Sequence, residues 1–414
     1  MAELGSSLNG HTRCCIAGGG PAGMMLGYLL ARAGIEVVVL EKHADFLRDF
    51  RGDTIHPSTL ELMHELGLLD EFLKRPHSEV QEANGQIGTH AVHIADLSHL
   101  PTRCKFIAFM PQWDFLDFLA EHAQRFPTFR LAMESEVVGL LEEGERIAGV
   151  KVRTKSGERL LRSDLVIAAD GRHSTVRASA RMESIDLGAP IDVLWLRLSK
   201  RKDDKAQVFG RLDSGRILVM LDRGDYWQCA FVIRKGGYDE LRQRGIESFR
   251  AEIARLAPFV RDRVEELQNW EDIKLLTVAV DRLRRWYRPG LLCIGDAAHA
   301  MSPIGGVGIN LAVQDAAAAA NILVPPLRSG GSIGTEPLAR VQRRRELPTR
   351  LTQRLQLLIQ DRVMTRVLGS AAPLAVPLPV RLMQRWPILR RIPARLIGLG
   401  FRPEHVRTPA LAGN

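Results

Sequence analysis

Three glycines near the start of the chain have the spacing of a phosphate-binding loop. Gly18, Gly20 and Gly23 form the pattern G-x-G-x-x-G directly after the apolar run 13–17. In such a pattern the first glycine permits a tight turn, the second lets the backbone approach a pyrophosphate, and the third lets a helix pack closely on the preceding strand. The free amides at the start of that helix attract the phosphate charge. The spacing therefore predicts a dinucleotide site.

An acidic residue follows at the position that such a site requires. The glycine loop leads into a predicted helix over 22–33, and the β-branched run 35–40 has the composition of a strand buried on both faces. Glu41 ends that strand, where a carboxylate accepts hydrogen bonds from an adenosine ribose. A strand, a helix, a second strand and an acid in this order favour a dinucleotide site over a plain glycine turn.

Two later segments place an aspartate just beyond the end of a buried strand. Asp170 follows the run 165–169, and Asp296 follows the run 291–294. The second segment continues into a glycine-rich loop over 305–308, which leads into an alanine-rich helix. Ligands of α/β sheets bind at the carboxyl ends of the strands. Either aspartate alone is equally consistent with a helix cap, but three strand-end motifs in one chain favour a shared ligand site.

Together the three motifs resemble those of the group A flavoprotein monooxygenases, the 4-hydroxybenzoate hydroxylase-like enzymes. The resemblance spans residues 13–320 and rests on GGGPAG at 18–23, DGRHSTVR at 170–177, and GDAAH with a P-x-G-G-x-G-x-N continuation at 295–310. It implies a mixed α/β (α+β) fold, in which a Rossmann-like FAD-binding domain is interleaved with a β-sheet substrate domain and followed by C-terminal helices. The expected boundaries are 11–75, 108–185 and 275–345 for the FAD-binding domain, 76–107 and 186–274 for the substrate domain, and 346–414 for the C-terminal helical segment.

The resemblance also implies a reaction. An FAD-dependent monooxygenase of this family consumes NAD(P)H and O2 and hydroxylates a small aromatic or polycyclic substrate (a phenol, quinolone, quinone or polyketide-like compound) through a C4a-hydroperoxyflavin. FAD would be bound, whereas NADH or NADPH would dock transiently, because the sequence has no second G-x-G-x-x-G. Two alternatives remain open: an FAD-dependent reductase of the geranylgeranyl reductase type, and a non-catalytic flavin-binding protein. The WxWxIP motif of flavin-dependent halogenases is absent.

By position, the resemblance assigns cofactor roles to residues of all three motifs. The residues expected to hold the ADP half of FAD are Gly18, Gly20, Pro21, Ala22, Gly23, Glu41 and Lys42. Contacts with the pyrophosphate or flavin edge, the ribityl region and the adenine are expected from Arg51, Gln112 and Val137. Asp170 and Arg177 belong to the motif that the family links to both FAD and NAD(P)H, and Asp296 would bind the ribityl chain. The residues expected against the isoalloxazine ring are Pro303, Gly306, Gly308, Ile309 and Asn310. No catalytic base and no metal ligand is assigned.

The antiparallel block over 191–234 is expected to carry the substrate. Strand alternation puts Val193, Trp195 and Arg197 on one face and the intervening leucines on the other, and the sequence does not say which face lines the pocket. The candidates for substrate contact are Trp195, Arg197 and Tyr226, with His90 and His93 on a neighbouring predicted strand. Each of these is also consistent with a solvent-facing or structural role.

Charge is concentrated near the C-terminus. The formal net charge is +9, but the segment 340–414 alone holds 15 arginines, no lysine and three acidic residues, which leaves the rest of the chain net negative. This segment has few aromatic residues and no nucleic-acid motif, so nucleic acid binding is not expected. It is helical by pattern, is broken by prolines, and follows a predicted Pro/Gly/Ser linker over 325–337. A helical lid is the simpler interpretation, and peripheral contact with anionic lipid is the alternative.

The remaining composition indicates a cytoplasmic protein. The N-terminus lacks the apolar region of a secretory signal, and no uncharged apolar run is long enough to span a membrane. The five cysteines show neither C-x-x-C pairs nor metal-ligand spacing, so they are expected to be buried, reduced and structural.

Overall fold

A computed structural model describes residues 10–47, 54–204, 209–370 and 372–411. The strands, in chain order, are β1 (His11–Ala17), β2 (Val37–Leu40), β3 (Thr54–Ile55), β4 (Ser78–Val80), β5 (Glu82–Ile87), β6 (His90–Asp96), β7 (Ile107–Phe109), β8 (Phe129–Ala132), β9 (Glu136–Glu143), β10 (Arg146–Thr154), β11 (Gly157–Ala168), β12 (Ser184–Asp186), β13 (Ile191–Ser199), β14 (Phe209–Asp213), β15 (Arg216–Asp222), β16 (Tyr226–Arg234), β17 (Lys274–Leu276), β18 (Asp281–Leu283), β19 (Tyr287–Arg288) and β20 (Leu291–Cys293). The α-helices are α1 (Pro21–Arg32), α2 (Pro57–Glu65), α3 (Leu69–Phe72), α4 (Gln112–Ala123), α5 (Thr175–Ser179), α6 (Tyr238–Gln243), α7 (Ile246–Leu256), α8 (Val307–Arg328), α9 (Thr335–Ile359), α10 (Thr365–Gly369), α11 (Leu378–Arg385) and α12 (Arg391–Gly398). A π turn, Gln360–Met364, joins α9 to α10.

The larger sheet is built around β1. Strands β2 and β11 flank β1 in parallel, β8 extends the sheet beyond β2, and β20 extends it beyond β11. The apolar residues of β1 are fully buried, as expected for a strand covered on both faces. In the pairing register Ala17 lies opposite Leu40 and Ala168, and Ala168 lies opposite Cys293. Four strands therefore end side by side, and the loops that follow them meet at one edge of the sheet.

The second sheet has seven strands in the order β17-β13-β16-β15-β14-β5-β6. Leu194, Leu196 and Leu198 face a core shared with Phe249 and Ile253 of α7, so helices cover that face. The opposite face holds a cluster of apolar side chains from the sheet, from the segment after α9 and from the loop before α8. We call this cluster the apolar face, and its members include Val193, Trp195, Ile217, Val219, Ala230, Val232, Ile304, Val363, Met364, Val367 and Leu368.

Helix α8 is longer than the sequence pattern indicated. The predicted linker over 325–337 begins too early, because α8 runs to Arg328 through Pro325 and Pro326. Both prolines lie in its last turn, where each removes one amide donor, and the buried neighbours Val324 and Leu327 continue the helix there. The segment Ile304–Arg328 is apolar and long enough to cross a membrane by those criteria alone, but 72% of its most apolar window is buried inside the protein. It packs against α1 and α9, which is the position of a core helix.

The end of the chain returns to the larger sheet. After α12, the Leu411 amide donates to the carbonyl oxygen of Arg32 at the end of α1, and the Leu411 side chain lies against Gly34. Asn321 of α8 donates to the carbonyl oxygen of His405. The five cysteines, all within the described residues, are buried and unpaired, as the sequence predicted.

Candidate functional site

The three glycines of the first motif are required for different structural reasons. Gly18 has φ +105, and a Cβ there would lie 2.4 Å from the carbonyl oxygen of Ala169. A Cβ on Gly23 would lie 1.9 Å from the carbonyl oxygen of Gly18, whereas a Cβ on Gly20 would meet nothing within 4 Å. Helix α1 begins after Gly20 with no side chain capping its first amides. Two glycines are thus required by packing, and the third faces open space beside a helix start suited to a phosphate.

Glu41 lies beside this loop. Its carboxylate is 9% exposed, accepts from the Gly19 amide at 3.0 Å, and accepts from the His43 amide at 3.1 Å. The end of β2 therefore presents a carboxylate next to the glycine loop, where the sequence predicted it. Lys42, the next residue, is exposed.

Asp170 organises the loop after β11. The hydroxyl of Ser174 donates to one carboxylate oxygen of Asp170, and the amide of Val176 donates to the other at 3.1 Å. Burial raises the pKa of Asp170 above its usual range, although these hydrogen bonds act in the opposite direction. Ser174 also caps α5 by accepting from the Arg177 amide at 2.9 Å. In this structure the Asp170 carboxylate serves the loop itself.

Two arginines connect the second motif to the third. The Arg177 guanidinium donates to Asp281 at 3.2 Å and to the carbonyl oxygen of Arg172 at 2.9 Å. Arg172 in turn lies 3.8 Å from the carboxylate of Asp296, whose side chain is about one-third exposed. The Asp-Gly loop and the Gly-Asp loop are therefore neighbours, as the shared-site hypothesis requires, and Asp296 keeps an accessible carboxylate.

The glycine-rich loop before α8 folds tightly against β3. Gly306 has φ +62, and a Cβ on it would lie 2.3 Å from the hydroxyl oxygen of Thr54. The Asn310 side chain accepts from the His56 amide and from the Thr59 hydroxyl, each at 2.8 Å, and donates to the Thr54 carbonyl oxygen at 3.0 Å. Asn310 thus fastens the segment before α2 to α8. The start of α8 has neither a capping side chain nor an acid in its first turn, so its amides can meet a negative or carbonyl-bearing group.

For the other predicted cofactor residues, the structure gives a position in the fold and a degree of burial. Gln112 is the first residue of α4 and is half-buried, and Val137 is buried in β9. Pro303 and Ile309 are half-buried on either side of the glycine-rich loop. Arg51 lies outside the described residues.

The three candidate substrate residues do not converge. Trp195 belongs to the apolar face, together with Ile304 of the loop before α8. The Arg197 guanidinium instead lies 3.8 Å over the ring of Tyr226, and both residues line an open polar cleft of about 460 Å³ with Glu266 and other charged residues. Helix α7 covers the face of β13 that carries the leucines, and Trp195 lies on the opposite side, in the apolar face. His90 and His93 are exposed on β6.

A buried carboxylate that sequence reasoning missed anchors the third motif. Asp315 of α8 is fully buried and accepts from the Gly295 amide at 3.1 Å, from His299 Nε2 at 2.5 Å, and from Arg345 Nε at 2.9 Å. Burial alone would raise the pKa of Asp315, but the neighbouring His299 and Arg345 outweigh it and the pKa is lowered. Arg345 also contacts Glu404 at 3.2 Å. One acid within an alanine-rich predicted helix was the available signal.

The fold and the site together define a class of protein. Five parallel strands of the larger sheet, three motif loops at one edge, two uncapped helix starts and a glycine facing open space fit an extended dinucleotide such as FAD. The chain belongs to the family described as FAD binding domain, whose model matches residues 11–354.

Known proteins support this assignment. The chain is 34% identical over 404 residues to 6-methylpretetramide 4-monooxygenase of Streptomyces rimosus, covering 96% of this chain and 94% of that protein. Among solved structures it is similar to p-nitrophenol 4-monooxygenase PnpA of Pseudomonas putida DLL-E4, with a TM-score of 0.74, 20% identity, and coverage of 94% and 99% of the two chains. It is also similar to the anhydrotetracycline hydroxylase OxyS of Streptomyces rimosus, with a TM-score of 0.72, 22% identity, and coverage of 98% and 78%.

The family resemblance and the mixed α/β fold that the motifs predicted are therefore confirmed. The chain is an FAD-dependent monooxygenase of the aromatic hydroxylase type, for which NAD(P)H and O2 are the co-substrates typical of the family. The comparisons give no support to the reductase or to the non-catalytic alternative.

Proposed function

We propose that this chain hydroxylates a planar, polycyclic aromatic compound of the polyketide type. The apolar face of the second sheet is the observation that carries the proposal, because it sets aliphatic side chains and the Trp195 indole against Ile304 of the loop before α8. Similarity to 6-methylpretetramide 4-monooxygenase over nearly the whole chain supports a substrate of this class. Among the described residues the indole nitrogen of Trp195 is buried without a hydrogen-bond partner, so it can donate to a substrate oxygen.

The three strand-end loops are the proposed FAD site. Gly18, Gly20 and Gly23, with Pro21 and Ala22, would hold the pyrophosphate, and Glu41, followed by Lys42, would bind the ribose. Asp296 would accept from the ribityl chain, and the segment 303–310 would border the flavin ring. Two further residues would contact FAD as the sequence predicted, namely Gln112 and Val137. The cofactor role of Asp170 and Arg177 would be to support the loop next to the cofactor. The proposed division into FAD-binding residues (11–75, 108–185 and 275–345) and substrate residues (76–107 and 186–274) follows from these roles.

The chain supplies position and electrostatics. When bound, FAD accepts electrons from NAD(P)H and transfers one oxygen atom of O2 to the substrate. The uncapped start of α8 would stabilise negative charge on the pyrimidine side of the flavin ring, as a helix N-terminus does. The apolar face would exclude water from the reacting carbon, which limits side reactions.

A substrate screen tests the reaction. Purified protein would be offered tetracyclic polyketides, quinolones and phenols with NADH or NADPH and O2. We expect a tetracyclic compound to accelerate NAD(P)H oxidation and to gain the mass of one oxygen atom. Gain of two hydrogens would indicate a reductase, and NAD(P)H oxidation that no compound accelerates would overturn the proposal.

A conservative change at Trp195 tests the substrate site. Trp195→Phe keeps an aromatic ring and removes the indole donor, so we expect KM for the best compound to rise about fivefold with FAD content unchanged. Arg197→Lys, at the open polar cleft, serves as the control and should leave KM unchanged. Equal effects of the two substitutions would move the substrate site away from Trp195.

We further propose that this cytoplasmic enzyme contacts anionic membrane surfaces through a C-terminal basic surface. The surface comprises Leu378, Arg381, Leu382, Arg385, Trp386, Ile388, Arg391, Ile392 and Arg395. Its four most exposed apolar side chains are 54–64% exposed, and the segment 378–403 contains six arginines and no acid. The inner side of α12 is anchored, because Ala394 packs against Leu97 and Leu100 in a separate core cluster. Exposed apolar and cationic groups on anchored helices are the combination that binds an anionic lipid surface.

Vesicle co-sedimentation tests this contact. We expect binding to vesicles that contain phosphatidylglycerol, little binding to pure phosphatidylcholine, and loss of binding as salt rises. Arg381→Gln, Arg385→Gln and Arg395→Gln combined should abolish it. The control variant carries the same Arg→Gln change at the exposed Arg125, Arg153 and Arg285. It has the same net charge as the first triple variant and should still bind the vesicles. Salt-insensitive or absent binding, or a dimer that buries this surface, would overturn the proposal.

A further inference from the structure

Four buried glutamines distinguish α9 and the π turn that follows it. Gln342, Gln353, Gln356 and Gln360 are between 0% and 9% exposed, on a segment otherwise rich in exposed arginine and leucine. A primary amide is costly to bury unless its donors and acceptor are used. All four amides bond to neighbouring segments, mostly to backbone atoms that lie 50 or more residues away along the chain.

Two of these glutamines hold the loop that precedes the flavin-facing glycines. Gln356 Nε2 donates to the carbonyl oxygens of Ser302 and Ile304, each at 2.9 Å, while its Oε1 accepts from the Ser302 amide at 3.2 Å. Gln360 Nε2 donates to the Ser302 hydroxyl at 2.6 Å. The Ser302 and Ile304 backbone on either side of Pro303 is thus bonded by Gln356 of α9, and the Ser302 hydroxyl by Gln360 of the π turn.

The same segment also reaches the substrate sheet. Val363 and Met364 of the π turn and Val367 of α10 join the apolar face. The carbonyl oxygen of Val367 accepts from the Gly215 amide at 3.0 Å, and that of Leu368 accepts from Arg234 at 3.0 Å. A π turn inserts one residue into a helix and changes which side its later residues face. One continuous helical segment therefore contacts the loop around Pro303 and the sheet opposite it.

We propose that Gln356 and Gln360 are positioning residues that set the loop Ser302–Ile304, and with it the reacting side of the flavin, at a fixed distance from the substrate on the apolar face. The inference rests on the proposed FAD and substrate sites. Loss of the Gln356 amide leaves the Ser302 and Ile304 backbone without this partner, and loss of the Gln360 amide removes a donor to the Ser302 hydroxyl, so the loop moves. Oxygen transfer requires close alignment of the two reactants, whereas electron transfer from NAD(P)H to the flavin does not use this contact. The consequence is uncoupling, in which NAD(P)H is still oxidised and the oxygen leaves as H2O2.

A pair of matched variants separates positioning from stability. Gln356→Leu removes the amide at Ser302 and Ile304 with little change in volume. Gln342→Leu removes an equivalent buried amide from the same helix, one that bonds to the Trp286 amide and the Arg284 carbonyl oxygen instead. We expect both variants to bind FAD and to lose similar thermal stability. Only Gln356→Leu should change the visible circular dichroism of bound FAD, and only it should lower the product formed per NAD(P)H by about tenfold, with H2O2 making up the difference.

If the Gln356→Leu variant does not fold, Gln356→Glu provides a second test of the same contact. An ionised carboxylate accepts from the Ser302 amide but cannot donate to either carbonyl oxygen, whereas the protonated acid can donate to one. The dichroism of bound FAD in this variant should therefore move towards that of the native protein as the pH falls.

The outcomes are distinguishable from failure of the proposed function. The dichroism measurement needs FAD alone, so it stands even if no substrate is hydroxylated. Identical flavin spectra in Gln356→Leu and Gln342→Leu, or a pH-independent spectrum in Gln356→Glu, would overturn the positioning role.

Discussion

At Gly18, Gly20 and Gly23, one local motif combines two structural requirements with one ligand requirement. A Cβ at Gly18 or Gly23 would collide with a backbone oxygen, whereas a Cβ at Gly20 would meet open space. Substitutions at these glycines should therefore affect different properties, either the stability of the fold or the affinity for FAD, although all three lie within six residues.

Gly20→Ala should weaken FAD binding without unfolding the protein. The added methyl group enters the space that the pyrophosphate would use, so we expect the Kd of FAD to rise at least about tenfold while the apoprotein melts as before. Gly23→Ala should instead lower the free energy of unfolding by about 1–3 kcal/mol, because its methyl group overlaps the Gly18 oxygen. Fluorescence titration with FAD and thermal melting of the apoproteins distinguish the two, and a Gly20→Ala apoprotein that melts early would contradict the assignment.

Residues with local signatures were predictable, and residues with distant partners were not. The glycines, Glu41 and both motif aspartates follow strands directly, so spacing alone places them. Asp315 and Gln356 bond to loops 16 or more residues away along the chain, and nothing in their immediate sequence encodes those partners. Arg197 and Tyr226 had the right residue types, but a local stacking contact holds them at a separate polar cleft.

At the scale of elements, His56 links the start of α2 to the end of α12. Its side chain is fully buried, and Nδ1 lies 2.7 Å from the carbonyl oxygen of Ile397, to which it donates when protonated there. Burial lowers the pKa of His56 to about 4, against 6.5 for an exposed histidine, even though the Ile397 hydrogen bond acts in the opposite direction. Folding therefore favours the neutral ring.

This burial predicts an acid-dependent loss of stability. Because the folded pKa is depressed, the contribution is fully present above pH 6.5 and is lost as the pH falls towards 4, to a total of roughly 3 kcal/mol. His56→Asn keeps a donor for the Ile397 oxygen and cannot titrate. Its stability should fall less than that of the native protein over this range, as measured by urea unfolding at several pH values. Parallel curves for the two proteins would show that folding does not lower the pKa of His56.

The elements themselves were predicted unevenly. Periodicity identified α1, β2 and the antiparallel block, because each has one consistent pattern of apolar residues. It could not choose a face of β13, since that strand is apolar on both sides and α7 decides which side is covered. The end of α8 was missed because a proline pair predicts a helix break, whereas α8 continues through it with Val324 and Leu327 buried.

At the scale of the whole molecule, the proposed FAD site is assembled from loops more than 270 residues apart in sequence. A ligand that bridges such loops binds the folded state and not the unfolded one. Adding FAD at 100 times its Kd should therefore stabilise the protein by about 2.7 kcal/mol. We expect the melting temperature to rise steadily with FAD concentration, with adenosine monophosphate as a weaker control. A melting temperature that is independent of FAD would mean that these loops do not close on the cofactor.

The anchoring of Asp315 by Arg345 and Glu404 has a consequence for biosynthesis. Arg345 lies in α9, and its partner Glu404 lies 59 residues further along the chain. In a nascent chain that has emerged only as far as α9, Arg345 can bond Asp315 but lacks its other partner, the Glu404 carboxylate. The turn after β20, which Asp315 holds, is then not fixed in its native position. We therefore expect flavin loading to follow synthesis of Glu404, with chains stalled before that residue remaining colourless.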